Sequence, residues 1–185
     1  MMPALRQFGP TTLIFCAWGA LISGCAGMIA IDYEPVSSLR GQGELTLVPF
    51  RYEAADSGRV QAQEVERNQA AKTKLFLSQE ISTFFTEALR KELARSGYRI
   101  AQSGLLSISG SLPRFYLDWT DEREQRFELR ATYHIRSGDR TVFTWDCSSA
   151  QRGPNRLAQN GVLIRRGTAD CMQRFIQASQ DANVI

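Results

Sequence analysis

Phe127-Glu128-Leu129-Arg130-Ala131-Thr132-Tyr133-His134-Ile135 alternates apolar and polar side chains without a break. A period of two places Phe127, Leu129, Ala131, Tyr133 and Ile135 on one side of a strand, with the charged and hydroxyl side chains on the other. That is the pattern of a sheet with one dry and one wet face. Ser137-Gly138-Asp139 then turns the chain, and Thr141 to Cys147 returns with Phe143, Trp145 and Cys147 on one face. On the other side, Leu105 to Trp119 reads as a long β stretch. Pro113 within it has no amide hydrogen to donate, so it requires an edge position or a bulge. Asp118 to Arg123 is the turn that joins this stretch to Phe127–Ile135.

Two helices supply the cover for the dry face. Ile81, Phe84, Phe85, Ala88 and Leu89 follow the i, i+3, i+4, i+7, i+8 spacing of one apolar stripe, which predicts a helix over 78–96. Ser78 is the expected N-cap, with Glu80 in the positive first turn and Arg90, Lys91 and Arg95 toward the negative end. Gly97 stands where a helix C-terminus needs positive φ. Tyr98 to Ala101 follows as a short strand. A final helix is expected from Gly153-Pro154 to about Ser179. At 100° per residue, Leu157, Ile164, Cys171 and Phe175 share a narrow stripe on it, with Arg166 and Gln173 opposite.

Cys147 on the inner face of a strand and Cys171 on the inner face of a helix therefore point at the same core, and a disulfide between them is expected. Closing a loop of that size stabilises a fold by about 3–3.5 kcal/mol in the chain-entropy model. Two separate buried thiols are the alternative. Zinc is excluded on ligand count, because two sulfurs and the single histidine do not complete a four-ligand site.

Further upstream, Glu44 to Phe50 alternates, with Leu45, Leu47 and Pro49 on one side, and reads as a first strand. Arg51 to Ala71 is polar and is expected to be a flexible loop or an excursion, and Lys72 to Leu77 a short strand. The element order β-α-β-β-β-β-α predicts an α+β two-layer sandwich: a mainly antiparallel sheet, two helices packed on one face, the other face wet.

The N-terminus has a different character. Thr11 to Ser23 is a 13-residue apolar run preceded by Arg6, too short for the roughly 20 residues that span a bilayer. It suits the apolar region of a signal peptide. The run closes on Leu21-Ile22-Ser23-Gly24-Cys25, which looks like a bacterial lipobox: an apolar branched residue, two small residues, then the cysteine whose thiol takes a diacylglycerol before cleavage. A buried or anchoring helix with an incidental cysteine is the alternative, against which Gly19, Gly24 and Gly27 argue. Residues 1–24 are thus expected to be a lipoprotein signal, 25–43 a lipidated tether containing Pro35, Ser37, Ser38, Gly41 and Gly43, and 44–185 a single periplasmic domain. In Gram-negative lipoproteins an aspartate after the cysteine often retains the product in the inner membrane. The residue here is Ala26, so the expected location is the outer membrane, periplasmic face.

Only Arg6 of the 22 Lys and Arg precedes Cys25, so 21 basic residues face 19 acids after cleavage. This near-neutral balance implies no nucleic-acid partner. With Cys16 in the signal and Cys25 lipidated, Cys147 and Cys171 are the only thiols left, in a compartment that oxidises them.

Leu75-Phe76-Leu77, then Phe84-Phe85-Thr86-Glu87-Ala88-Leu89-Arg90-Lys91-Glu92-Leu93, Ser96-Gly97-Tyr98 and Leu105 to Leu112 resemble the YajG-type outer-membrane lipoproteins. The similarity extends over residues 72–136, the lipobox and the final helix. The wider group of lipoproteins that are auxiliary parts of envelope ABC transporters has a similar helix followed by Gly-Tyr. The resemblance implies a periplasmic adaptor or binding domain, with no catalytic residues to carry over.

The residues themselves point the same way. His134 lies on the polar face of its strand between Arg130 and Arg136, and no Gly-x-Ser-x-Gly elbow accompanies it. Asp118, Asp121, Glu122 and Glu124 match no calcium loop and read as a solvated turn. Gly41-Gln42-Gly43 lacks a third glycine and a preceding strand, so it is no nucleotide loop. Two groups are candidates for a partner surface. Arg165 and Arg166, among Arg152, Arg156 and Arg174, suit phosphate or carboxylate groups, with a solvated helix face as the alternative. Tyr116 and Trp119 beside Pro113 suit a strand-adding partner, with core packing around a bulge as the alternative. The expectation is a non-enzymatic lipoprotein without cofactor or metal. It is held in the membrane through acyl chains on Cys25 and meets an envelope protein, as an adaptor or binding domain in envelope maintenance or as a transporter's accessory lipoprotein.

Overall fold

The computed structural model describes residues 27–185. The expected signal, the lipobox and Cys25 lie outside these residues. The fold is α+β and its centre is the predicted meander: β7 (Leu106–Asp118), β8 (Glu124–Ser137) and β9 (Arg140–Pro154), all antiparallel. β8 buries Phe127, Leu129, Ala131, Tyr133 and Ile135, while Arg130 and Arg136 face outward. The bulge expected at Pro113 is present, as a register shift between Ser111 and Arg114. Gly138 turns the β8–β9 hairpin at φ +55. β9 runs seven residues beyond Cys147, further than its apolar pattern reaches, because its pairing with β8 continues to Glu124 opposite Pro154.

The other edge of β7 departs from a simple antiparallel sheet. Short strands β2 (Glu44–Leu47), β3 (Arg51–Tyr52) and β4 (Glu66–Arg67) line up along it one after another, each parallel to it. β6 (Arg99–Ala101) adds outside β2, giving the order β6-β2-β7-β8-β9. Pro49 is exposed, unlike Leu45 and Phe50, because β2 ends at Leu47.

The stretch 51–71 is not a flexible loop. Tyr52, Ala54 and Val65 are buried, and a one-turn helix α1 (Glu53–Asp56) sits between β3 and β4. It reads as polar because two of its inward positions are carboxylates. Glu64 pairs with Arg67 and Lys74 (both 2.9 Å), and Glu66 pairs with Arg59 (3.1 Å) while accepting the Phe115 amide (3.0 Å).

Helices α2 (Ile81–Arg95) and α3 (Leu157–Asp181) cover the dry face. The predicted stripe of α2 is buried throughout. Its cap is different: the helix begins at Ile81 with Glu80 as N-cap and no side-chain cap bond, and Ser78 instead donates its amide to Ile29. Phe85 meets Phe50 (ring centroids 5.0 Å) and Tyr133 (6.0 Å), which stacks on Phe175 of α3 at 4.2 Å and 10°. Ile164, Cys171 and Phe175 are buried as expected, but Leu157 is 67% exposed because it opens α3 beyond the sheet's cover. Gly167 lets α3 approach β8 closely: a Cβ there would sit 2.8 Å from the Phe127 ring. Cys147 and Cys171 are disulfide-bonded, with Cα atoms 5.6 Å apart, tying β9 to α3.

The expected tether is also corrected. β1 (Gly27–Ile29) pairs in parallel with β5 (Leu75–Leu77) in a separate two-stranded sheet, and Ile29, Ile31, Tyr33 and Ser37 are buried. Residues 27–41 belong to the folded domain.

Candidate functional site

After β1 the chain forms a strap along α3. Gly161 of α3 lies beside Ile29 and Ile31: a Cβ on it would stand 3.7 and 3.8 Å from their side chains. Further on, Tyr33 turns inward, meets Phe84 edge-on at 6.2 Å and donates its hydroxyl to Glu92 (2.5 Å). Glu92 is wholly buried on α2 and also accepts the amides of Val36 (3.0 Å) and Ser37 (2.9 Å). Burial, then the hydrogen bond and charge of Glu92, push the Tyr33 hydroxyl well above its ordinary range, so it stays a donor. Lys91 donates to the Tyr33 carbonyl (2.9 Å), and the Ser37 and Ser96 hydroxyls share a bond of 2.8 Å. Gly97, at φ +99, ends α2 where the Gly41 carbonyl comes within 2.6 Å of the place a Cβ would occupy. Gln180 of α3 closes the run by donating to the Arg40 carbonyl (3.0 Å) and the Tyr98 hydroxyl (2.9 Å).

Between strap and helix lies a groove of about 720 Å³. Val36, Val162 and Ala169 give it apolar surface, Asp32, Glu34 and Asp170 carboxylates, and Arg165 and Arg166 forked cationic donors. The volume is that of a ligand pocket. The mixed charge suits a polar segment of another chain, with the arginines taking carboxylates in two-point contacts.

The four residues expected at a partner surface fall in three places. Arg165 and Arg166 both line the groove. Tyr116 lies on the open sheet face, its ring 4.1 Å from the Arg114 guanidinium and its hydroxyl donated to Asp118 (3.2 Å). Burial acts to raise Asp118, but bonds from Thr120, Asn68 and Tyr116 outweigh it and hold the carboxyl below its ordinary range. Trp119 packs half-buried on the core, and its carbonyl accepts from Asn155 (3.0 Å). Arg174 bonds Asp170 (2.6 Å) and the Ser148 carbonyl (2.9 Å) and reaches within 3.3 Å of the Cys147 sulfur. His134 faces the open side and shares a hydrogen bond with Thr144 (3.1 Å). Among the described residues, no group of three or more His, Cys, Asp or Glu is placed to hold a metal ion. No helix among them is long and apolar enough to cross a membrane.

Tyr33, Val36 and Glu92 were not marked by sequence reasoning. The signal for the strap was the period of two in Ile29, Ile31 and Tyr33, obscured by its proximity to Pro35 and the serines. Nothing local marks Glu92, because its partners lie more than 50 residues away.

No protein-family model matches the chain, and no curated protein sequence matches it. Solved structures do. The protein XCC0632 from Xanthomonas campestris, of the DUF330 family, superposes with a TM-score of 0.62 at 13% identity, over 84% of this chain and 99% of that one. The two share a fold. Rare lipoprotein B from Shewanella oneidensis aligns with a TM-score of 0.45 at 9% identity, over 76% of this chain and 96% of its own. A protein from Caulobacter crescentus described as a "putative lipoprotein" aligns with a TM-score of 0.43 at 12% identity, over 65% of this chain and 89% of its own.

Proposed function

We propose that this is a non-enzymatic lipoprotein, anchored in the outer membrane through acyl chains on Cys25 and facing the periplasm, that acts as an adaptor or binding domain in cell-envelope maintenance. The observation that carries the reading is a juxtaposition. The Leu21–Cys25 pattern ends two residues before Gly27 of strand β1, and the strap that follows β1 forms one wall of the Arg165/Arg166 groove. Three acyl chains, at about 0.8 kcal/mol per buried methylene, hold such a protein permanently. The groove then receives a segment of an envelope protein. The resemblance of residues 72–136 to the YajG-type lipoproteins supports the same role.

A second reading is an accessory lipoprotein of an envelope lipid or solute ABC transporter. It is favoured by the helix followed by Gly97-Tyr98 and by a groove with apolar Val36, Val162 and Ala169. A photo-crosslinking amino acid at Gln173, in the groove wall, tests both in living cells. The adaptor reading expects an outer-membrane or periplasmic partner, lost in an Arg165→Glu, Arg166→Glu variant. Inner-membrane transporter subunits in the crosslink favour the second reading. No crosslink at Gln173, with the same partners recovered by a probe on the open sheet face, removes the groove from either.

A further inference from the structure

Gly27, paired with Leu75 in the β1–β5 sheet, is close enough to Cys25 along the chain to fix how the domain stands on the membrane, and this inference rests on the lipid-anchor reading above. Two residue steps span at most about 7 Å. With Cys25 acylated, Gly27 lies next to the headgroups, and whatever surrounds Gly27 lies there too.

The strap identifies the surroundings. It runs along α3 in the helix's own direction, with Ile29 and Ile31 beside Gly161 and Arg40 beside Gln180. Met28 therefore stands at the same end as the start of α3. Asn155, just before that helix, donates to the Trp119 and Asp121 carbonyls (3.0 and 2.5 Å) and its amide to Arg123 (3.0 Å). Gln125 donates to the Arg156 carbonyl (3.1 Å), and Arg126 lies directly opposite Arg152 across β8 and β9. One end of the molecule thus carries two large exposed apolar side chains, Met28 (73% exposed) and Leu157 (67%), with Arg123, Arg126, Arg152 and Arg156, all exposed. Asp121, Glu122 and Glu124 stand among them, and Glu124 is paired with Arg152 (3.3 Å).

We infer that this end is a membrane-contacting surface whose occupant is the phospholipid bilayer, with Met28 and Leu157 entering the headgroup layer and the arginines meeting lipid phosphates. Apolar side chains buried at that depth and cations at phosphates are the two terms that bind interfacial segments. Arg126 and Arg152 are paired with Glu128 (2.9 Å) and Glu124 (3.3 Å), and each guanidinium keeps further N–H donors for phosphate oxygens. The opposite end carries Leu105, 89% exposed, at the start of β7. Thirteen residues of β7 place it about 40 Å from the anchored end. The domain stands upright, its groove lying alongside α3.

The test uses the processed, lipidated protein in vesicles of phosphatidylethanolamine and phosphatidylglycerol with chain-brominated lipids. Tryptophan replaces one exposed leucine at a time, Leu157→Trp or Leu105→Trp, and the parent supplies the background of Trp119 and Trp145. The 157 reporter should be quenched by roughly twofold or more over the 105 reporter, as expected for a side chain buried about 5–10 Å into the interface. Peroxide oxidation of Met28 should also be slower in vesicles than in detergent. Equal quenching at both positions, in protein that floats with the vesicles, overturns the orientation alone. Processed protein that does not float removes the lipid anchor, and the orientation with it.

Discussion

Glu92 holds the strap to the body of the domain. Its carboxylate has no basic side chain bonded to it in the described residues and is satisfied by the Tyr33 hydroxyl and two backbone amides. Glu92→Ala leaves the buried Tyr33 hydroxyl and Ser37 amide without an acceptor and should cost about 2–4 kcal/mol. Urea melts check the cost, and hydrogen exchange should show the Val36 and Ser37 amides losing protection ahead of the sheet. Phe85→Ala removes a fully buried ring from between Phe50 and Tyr133 and should cost roughly 3–5 kcal/mol. Arg90 pairs with Glu87 at the surface, so Arg90→Ala should cost under about 0.5 kcal/mol. Equal losses at the two positions in urea melts would mean that the helix is rotated from the face described.

At the scale of elements, the disulfide joins β9 to α3 across a sequence separation of 24 residues. Cys171→Ser should lower stability by about 2–4 kcal/mol without changing acylation of Cys25. Non-reducing mass mapping of periplasmic protein shows the bridge directly, and two alkylatable thiols would rule it out. This pair was legible in the sequence because each cysteine sits in an apolar stripe of known period. β8 and α2 were legible for the same reason, since their buried faces repeat every two and every 3.6 residues. The segment 51–67 was not. Its inward Glu64 and Glu66 look solvated until Arg59, Arg67 and Lys74 are brought to them by the fold. Strands β3 and β4 along β7 were equally hidden, because two-residue strands have no period. Of the site, Arg165 and Arg166 were legible as a basic cluster. The strap that makes a groove of them was not, because its partners on α2 and α3 are remote in sequence.

On the scale of the whole molecule, a lipobox-like N-terminus stands two residues from Gly27, which is paired in strand β1. Removing the thiol by Cys25→Ala should abolish both acylation and signal cleavage, and leave the groove intact but the protein displaced. The most direct measurement is the mass of the mature N-terminus from membrane fractions, made with and without globomycin. Untreated protein should carry an acylated Cys25 at its amino end, and uncleaved precursor should accumulate when the inhibitor is present. A soluble protein, trimmed at another residue in untreated cells and unaffected by globomycin, would contradict it.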